Sequence, residues 1–329
     1  MTVAGTGQSF EVAPGERILA AARRAGVWFP FECGWGSCGT CKVSVVEGQT
    51  ELLFAQAPCV DPRDARRGRI VTCQSTPTSD LVLKPLRVDG DPSPERPTRD
   101  HVARLDRGEE LGPGIARFHF RLDQPAVYRP GQHAILELAP GLRRCYSMAG
   151  LPGTTEVSFI AKHYPGRPGS GRLFDLAQGT CLALELPYGD MWLRDGERPV
   201  VLIAGGTGIS AILALARQLA RHGARGLPAQ RAVHVFYGAR TRDELVCWDE
   251  LERDVASIAG ARLHGAVVEP PPGWSGGVGH VTAPLAEQLP ALAEAEFYLA
   301  GPPVMTDAVR ALLRDNDVQL DRVRYDSFG

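Results

Sequence analysis

Apolar and polar residues alternate along the chain in three successive patterns, and each pattern predicts a different kind of domain. Within the first 88 residues, a short strand pattern at 8–12 is followed by helical periodicity at 16–25, which stops at Gly26. A second strand pattern covers residues 42–46. Strands combined with one crossing helix predict a small α+β domain.

The two later patterns predict an all-β domain and then an α/β domain. From about residue 98 to 192, short apolar segments recur between Gly/Pro turns, which is typical of an antiparallel barrel or sandwich. These segments are 115–122, 132–138, 144–148, 156–161 and 181–186. From residue 198 onward, predicted strands at 200–204, 232–237 and 297–300 alternate with predicted helices at 209–220, 243–258 and 304–314. This alternation predicts a doubly wound parallel sheet.

A proline-rich segment at residues 89–97 interrupts the pattern after the first domain. Its prolines and flanking charges are typical of a stiff, extended linker. We therefore expect an N-terminal domain at 1–88, a linker at 89–97, a barrel domain at 98–195 and an α/β domain at 196–329. On this interpretation the N-terminal domain is an appended unit that folds by itself.

Composition narrows the class of protein. The 329 residues carry a formal net charge of -2, so no global field favours nucleic acid or an anionic membrane. No apolar run reaches the roughly 18 residues that span a bilayer, and the first ten residues lack the features of a signal peptide. We expect a cytoplasmic protein that binds neither nucleic acid nor membrane.

Four of the eight cysteines have the spacing of iron–sulfur ligands. Cys33, Cys38 and Cys41 form a C-x4-C-x2-C run, and Cys73 follows at a distance, as in plant-type [2Fe–2S] proteins. Zinc is the alternative, but zinc ribbons normally use two C-x2-C pairs and this chain has one. The scattered cysteines are expected to be small buried or half-buried side chains: Cys59, Cys145, Cys181 and Cys247.

The residues between the predicted ligands indicate how the chain would bind a cluster and how a redox partner would gain access to it. Gly34, Gly36 and Gly39 lack side chains, so backbone N–H groups can approach the sulfides of a cluster. Trp35 has two open interpretations, an exposed contact for a redox partner or a lid that shields the cluster.

Arg144-Cys145-Tyr146-Ser147 resembles the Arg-x-Tyr-Ser element of the ferredoxin–NADP reductase superfamily. The resemblance implies that Arg144 holds a flavin pyrophosphate, that Tyr146 stacks on the isoalloxazine, and that Ser147 donates near its N5. Gly171 and Arg172 stand at the family's second flavin element, where Phe174 replaces the expected hydroxyl residue.

The nucleotide-binding elements follow in the α/β domain. Gly205, Gly206, Thr207 and Gly208 form a glycine turn between a predicted strand and a predicted helix, where a pyrophosphate can lie on bare backbone. Two further elements resemble those of the same superfamily. Gly301 and Pro302 begin its Gly-Pro-Pro-x-Met motif, and Ala300 before them replaces the cysteine of the family. Arg240 lies in the second nucleotide loop of the family, which the resemblance places near a ribose or phosphate. Phe328 in the C-terminal tail resembles the aromatic residue that covers the flavin face in this family.

The module order resembles the reductase component of bacterial multicomponent oxygenases, which include Rieske-type aromatic-ring dioxygenases and soluble di-iron monooxygenases. The resemblance implies a β-grasp ferredoxin domain, an antiparallel β-barrel that binds FAD, and a doubly wound NAD-binding domain. The implied catalytic residues are Tyr146, Ser147 and Phe328.

The same resemblance implies an electron path from NADH through FAD and the [2Fe–2S] cluster to a terminal oxygenase or its intermediary ferredoxin. The oxygenase would hydroxylate an aromatic or hydrocarbon substrate. A flavin accepts the two electrons of one hydride together and releases them one at a time, which a one-electron cluster alone cannot do. Arg240 and Arg242 could bind the 2′-phosphate of NADPH. Asp243 and Glu244, the next two residues, would repel that phosphate and therefore favour NADH. Two alternatives remain open, a reductase that feeds a deoxysugar dehydratase and a cluster-based redox sensor.

Overall fold

The chain divides into two compact units. The computed structural model describes residues 1–31, 33–36, 38–53, 59–86, 96–224 and 231–327. The first unit comprises Met1–Val102, Ala134–Cys145 and Leu182–Gly189. The second comprises Ala103–His133, Tyr146–Cys181 and Asp190–Gly329. Most of the predicted linker, residues 89–95, lies outside the described residues, so the three-domain division stays a prediction.

The N-terminal part of the chain contains short strands and two short helices. They are β1 Thr2–Val3, α1 Ile18–Arg24, β2 Lys42–Glu47, β3 Thr50–Leu52, α2 Pro62–Arg66, β4 Arg69–Val71, β5 Ser75–Pro77 and β6 Val82–Pro85. The middle part is mainly strands. They are β7 Arg99–Gly112, β8 Ile115–Leu122, β9 His133–Ala139, β10 Leu142–Ser147, β11 Glu156–Lys162 and β12 Cys181–Tyr188, with the helix α3 Pro168–Phe174.

The C-terminal part alternates strands and helices. They are β13 Val200–Gly205, α4 Ile209–Ala224, β14 Val233–Thr241, α5 Trp248–Ala256, β15 Arg262–Glu269, β16 Gly277–Val278, α6 Thr282–Leu292, β17 Glu296–Gly301, α7 Pro303–Asp315 and β18 Val323–Ser327. Within the described ranges, no helix combines the length and the apolar character that a membrane span requires.

The first unit contains a four-stranded sheet in the order β1-β6-β2-β4 and a two-stranded sheet of β3 and β5. In the four-stranded sheet, β1 and β6 are parallel, whereas β2 is antiparallel to both β4 and β6. The helix α1 is buried over all but its last residue, and Ile18 and Leu19 belong to the core of this unit. Sheet and helix confirm the predicted α+β character. The predicted strand at 8–12 is wrong, because this segment contributes only an isolated bridge at Ser9 and the buried side chain of Phe10.

The first unit also contains strands of the predicted barrel domain, in the order β10-β9-β12. Ile135 and Tyr188 from these strands lie in one buried cluster with Ile18 and Phe29. The ring of Phe31 meets the ring of Tyr188 edge-on, with 5.0 Å between centroids. Apolar side chains from both predicted domains therefore share one core, which contradicts the expectation that the N-terminal domain is a merely appended unit.

The buried side chain of Arg23 packs against two aromatic rings of this shared core. The guanidinium of Arg23 lies 5.0 Å from the ring centroid of Trp28 and 5.1 Å from that of Phe31. Its Nε donates to Thr98 Oγ1 at 3.0 Å, and the Thr98 hydroxyl donates to the carbonyl oxygen of Pro187 at 2.9 Å. These contacts tie the helix α1 to the chain segments that enter and leave the barrel strands.

The second unit contains a six-stranded parallel sheet in the order β16-β15-β14-β13-β17-β18, which confirms the doubly wound α/β prediction. The strand β13 is completely buried, as expected for a central parallel strand with helices on both faces. Three further strands of this unit, β7, β8 and β11, form an antiparallel arrangement in the order β7-β8-β11.

Candidate functional site

The four predicted cluster ligands lie close together as two pairs. The backbone N–H of Cys38 donates to Cys33 Sγ at 3.4 Å, and the Sγ atoms of Cys41 and Cys73 are 3.3 Å apart. The hydrogen bond within the second pair lowers the pKa of Cys41 and raises that of Cys73. Two pairs of thiols fit a [2Fe–2S] cluster, because each iron takes two protein ligands and completes its coordination with the bridging sulfides.

Burial distinguishes one ligand from the other three. Cys33, Cys41 and Cys73 are buried, whereas Cys38 is exposed. A bound cluster would therefore reach the surface at the Cys38 side of the loop.

The ligand loop depends on glycine for its shape. Gly34, Gly36 and Gly39 all have positive φ angles, of 66°, 97° and 74°. A Cβ at Gly34 would lie 2.1 Å from Cδ1 of Ile135, so a side chain there would collide with the side chain of this residue on β9. The loop is thus seated directly on a barrel strand of the same unit.

Trp35 contacts a residue that was predicted to bind flavin. Trp35 is half-buried, and the guanidinium of Arg144 lies 4.8 Å from its ring centroid. Arg144 also donates from Nη1 to the carbonyl oxygen of Arg143 at 2.7 Å. The structure therefore adds a third interpretation to the two open for Trp35: its ring orients the arginine that would hold the flavin pyrophosphate.

Ser147 is held by an acidic residue that the sequence analysis missed. Its hydroxyl donates to Asp326 Oδ2 at 3.3 Å, and both residues are buried. Asp326 lies on β18 directly beside Ala300 of β17, and His133 Nδ1 lies 3.7 Å from its carboxylate. A buried carboxylate thus lies between the predicted flavin serine and the predicted nucleotide-binding strand.

Ser210 was also missed as a site residue. Its hydroxyl donates to the carbonyl oxygen of Ser147 at 2.6 Å and accepts from the backbone N–H of Ile160 at 3.4 Å. Ser210 is the second residue of α4, so it ties the start of the nucleotide-binding helix to two strands of the predicted barrel.

The other predicted flavin residues have the following positions. Tyr146 is half-buried on β10, with its ring centroid 6.2 Å from that of Phe159. Gly171 and Arg172 lie within the helix α3, where Arg172 is exposed, and their contact with flavin stays a prediction.

Phe174 stands where the family has a hydroxyl residue. Its ring packs edge-on against the ring of Phe118, with 5.1 Å between centroids, which explains the aromatic side chain at this position. Phe328 lies outside the described residues.

The glycine turn after β13, which is predicted to bind a dinucleotide, is open at one glycine and closely packed at two others. Gly206 has a φ of 52°, and a Cβ there would meet no atom within 4 Å, so the turn is open at this residue. A Cβ at Gly208 would lie 2.0 Å from the carbonyl oxygen of Ala300, and one at Gly205 would lie 2.2 Å from Met305 Sδ. Thr207 completes the turn, which leads directly into α4.

The Gly-Pro-Pro element meets this turn. A Cβ at Gly301 would lie 3.2 Å from Cα of Gly205, so the two glycines allow two backbone segments to touch. Pro302 precedes the first residue of α7, and a Cβ at Gly205 would lie 3.3 Å from Cδ of Pro302. The ends of β13 and β17 therefore form one backbone surface, as expected for a nucleotide site at the carboxyl ends of parallel strands.

Arg240 forms an exposed ion pair. Its Nε lies 2.8 Å from Glu269 Oε1 at the end of the neighbouring strand β15. The guanidinium of Arg242 lies 5.6 Å from the ring centroid of Trp248. Both arginines that could attract a 2′-phosphate therefore already contact side chains of this chain.

The remaining cysteines differ in exposure. Cys59, Cys145 and Cys247 are half-buried as predicted, whereas Cys181 is exposed. Burial raises the pKa of Cys59 and of Cys247 to about 11, so both are thiols at neutral pH.

Comparison with known proteins supports both cofactor-binding parts of the chain. Residues 1–78 match the 2Fe-2S iron-sulfur cluster binding domain family, and residues 202–311 match the oxidoreductase NAD-binding domain family. The first match favours a [2Fe–2S] cluster over zinc as the metal group of this part of the chain, and the assignment of the four cysteines as its ligands stays a prediction.

Relatives and solved structures match the chain from end to end. The chain is 36% identical to the ferredoxin–NAD(+) reductase component of the alkene monooxygenase system of Xanthobacter autotrophicus, covering 98% of both chains. It is 33% identical to the reductase component of propane 2-monooxygenase of Rhodococcus jostii, covering 97% of this chain and 88% of the relative. The structure of the ferredoxin reductase in carbazole 1,9a-dioxygenase superimposes with a TM-score of 0.87 at 30% identity, covering 100% of this chain and 97% of that one.

The aligned relatives are covered over 88–98% of their length, the solved structure shares the fold, and the predicted cluster ligands and nucleotide elements lie within the two matched domains. The chain therefore belongs to the family of iron–sulfur flavoprotein reductases that serve as the NAD-dependent reductase components of bacterial oxygenase systems.

Proposed function

We propose that this chain delivers electrons from NADH to the terminal oxygenase of a multicomponent system, directly or through an intermediary ferredoxin. The observation that carries the proposal is the exposed Cys38 beside three buried ligands, in a chain that also has an NAD-binding domain. Such an arrangement takes in electrons at the nucleotide site and offers them at the surface to a protein acceptor. The free cysteines among the described residues accord with a reducing cytoplasm as the place of action.

When bound, FAD supplies a two-electron acceptor for hydride and the [2Fe–2S] cluster supplies a one-electron carrier. The chain's own residues bind and orient these groups. The glycine turn of Gly205–Gly208, together with Gly301, would hold the NADH pyrophosphate on bare backbone. The carboxylate of Asp326 fixes the Ser147 hydroxyl, and Arg144 provides a cation for the flavin pyrophosphate.

We also propose that NADH is preferred over NADPH. Glu269 neutralises Arg240, and Trp248 contacts Arg242, so neither guanidinium is an isolated cation that awaits a 2′-phosphate. Asp243 and Glu244 follow Arg242 in sequence; Lys162 balances the charge of Glu244 at 2.6 Å, which leaves Asp243 as the carboxylate that would repel a 2′-phosphate. The ratio of kcat/KM for the two nucleotides tests this, and a clear advantage for NADPH would overturn it.

The function is tested by affinity capture from the native host, followed by reconstitution with the captured partner. We expect a terminal oxygenase or its ferredoxin, and product formation that requires NADH and this chain together. A captured dehydratase whose activity depends on this chain would instead support the alternative reductase. Failure of the purified holoprotein to reduce cytochrome c with NADH would support the sensor.

A further inference from the structure

The first unit carries a concentrated positive charge on the helix α2 and the residue that follows it. Arg63, Arg66 and Arg67 are all exposed, and none of the three guanidinium groups has an ion-pair partner among the described residues. We call these three residues the basic patch. The exposed carboxylate in this segment, Asp61, caps α2 by accepting the backbone N–H groups of Arg63 and Asp64 at 2.7 and 2.8 Å. One exposed carboxylate against three exposed guanidinium groups leaves this surface with a net positive charge.

The chain that leads into α2 lies against the ligand loop. The backbone N–H of Cys59 donates to the carbonyl oxygen of Gly36 at 3.2 Å. Its Cβ is 3.4 Å from the position of a Cβ at Gly39, the residue after the exposed ligand Cys38. The residue Cys59, four positions before Arg63, therefore packs against the loop at Gly36 and Gly39.

A buried carboxylate on α2 forms two ion pairs with residues near the predicted cluster ligands. Asp64, which is 6% exposed, pairs with Lys42 Nζ at 2.5 Å and with Arg69 Nη1 at 3.3 Å. Lys42 directly follows the ligand Cys41, and Arg69 begins the strand that leads to the ligand Cys73. The helix is thus fixed to both chain segments that supply the buried pair of ligands.

A charged surface that is fixed beside an electron exit favours partners of opposite charge. Electrostatic attraction raises association rates and orients the encounter, and it weakens as salt screens it. The pairing of Asp64 keeps its own charge from offsetting the patch, because Lys42 and Arg69 already balance it. The patch thus favours an acidic acceptor over a basic one.

We propose that the basic patch is the docking surface for an acidic face of the protein that accepts electrons from this chain. The inference rests on the proposed function only in that electrons leave from the cluster to a protein acceptor. It goes further by assigning the surface, the residues and the charge of the partner.

The test compares two haem proteins of opposite charge as acceptors. The triple variant Arg63→Glu, Arg66→Glu and Arg67→Glu is compared with wild type in NADH-driven reduction of the acidic haem domain of cytochrome b5 and of basic cytochrome c. A matched control reverses three exposed arginines of the second unit: Arg198→Glu, Arg221→Glu and Arg314→Glu. A second variant with glutamine at all three patch positions removes the charges without reversing them, in case the reversal harms folding.

At low ionic strength, the reversal should lower kcat/KM for cytochrome b5 by about tenfold and raise it for cytochrome c by about threefold. The glutamine variant should show smaller changes in the same directions, and high salt should shrink all of them. The control variant and the ferricyanide activity should stay within about twofold of wild type. An unchanged rate with cytochrome b5, or an equal fall with both haem proteins, would overturn the docking role.

Failure of the proposed function has a different signature from failure of this inference. In that case the wild-type protein would reduce ferricyanide with NADH but neither haem protein, before any arginine is replaced.

Discussion

Ser147 and Asp326 are 179 positions apart in the sequence, yet they share a buried hydrogen bond. The serine stands in a recognisable motif, whereas the aspartate stands in a tail that was notable only for its aromatic residues. Nothing local marks Asp326, because its role follows from the pairing of β17 with β18. A site residue of this kind becomes visible only when the fold brings distant segments together.

Asp326→Asn tests whether the carboxylate positions Ser147 for hydride transfer. The substitution keeps the shape but removes the charge, and hydrogen bonds to charged groups are worth about 1.5–3 kcal/mol. We expect anaerobic flavin reduction by NADH to slow by about tenfold or more, with FAD content unchanged. The control is Asp321→Asn at an exposed position, which should leave the rate unaltered. A wild-type rate in the Asp326 variant would show that the carboxylate has no such role.

Trp35 is predicted to orient Arg144 for the flavin. Removing the ring in Trp35→Ala should raise the Kd for FAD by about threefold, since cation–π contacts are worth about 0.5–1 kcal/mol at partly exposed sites. Trp35→Phe keeps an aromatic face and should raise the Kd by less than about twofold. Titration of flavin fluorescence measures both values. If the alanine variant binds FAD as tightly as wild type, the contact between Trp35 and Arg144 does not serve flavin binding.

At the scale of elements, the sequence predicted best where apolar residues follow one period. The strand at Ile115–Leu122 has the predicted bounds, and Val200–Gly205 and Ile209–Ala224 begin where predicted. Arg99–Gly112 escaped prediction because the polar His101 stands at an inward position and the apolar Val102 at an outward one, which breaks the alternation. The helix predicted at 243–258 begins only at Trp248, since Cys247 before it has a φ of 58°.

The strand Arg262–Glu269 also escaped prediction, because His264 and Gly265 interrupt its apolar run. A Cβ at Gly265 would lie 2.7 Å from the ring of Trp248, so glycine is required there by packing. Such tertiary reasons for a residue cannot be inferred from the local pattern.

Two partly buried histidines on the neighbouring strands β14 and β15 should make the stability of the protein depend on pH. The rings of His234, Phe236 and His264 are stacked, with centroids 4.5 Å apart between Phe236 and His264. Burial lowers the pKa of both histidines below the ordinary 6.5. The unfolded chain therefore binds protons near pH 6.5 that the folded chain does not, so the free energy of unfolding falls as the pH drops below 6.5.

His264→Phe keeps the stacked ring and removes one titrating group, so it should weaken this dependence. Urea unfolding at pH 7.5 and 5.5 measures the change in each protein. The control is His280→Gln at an exposed position, which should retain the wild-type dependence. An equal loss of stability on acidification in wild type and in His264→Phe would contradict the assignment.

At the scale of the whole molecule, the N-terminal domain shares its core with barrel strands. A chain that begins near Pro97 would expose Ile135 and Tyr188 and would lose the contacts of Arg23 with Thr98. We therefore expect this truncated chain to be poorly soluble or to unfold at a markedly lower temperature than the intact protein. Size-exclusion chromatography and thermal unfolding measure this. A monodisperse truncated protein that keeps FAD and reduces ferricyanide at the wild-type rate would show that the domains are separable after all.

The central claim is that electrons enter at the nucleotide site and leave singly through the cluster held by the four cysteines. It is tested most directly in the intact chain with Cys73→Ser, which removes a fully buried ligand and changes the side chain by one atom. The measurement is the rate of NADH oxidation with ferricyanide, which takes electrons directly from flavin, and with cytochrome c. We expect the variant to retain FAD and most ferricyanide reduction while losing most cytochrome c reduction and its iron. Reduction of cytochrome c at the wild-type rate by an iron-free variant would contradict the account.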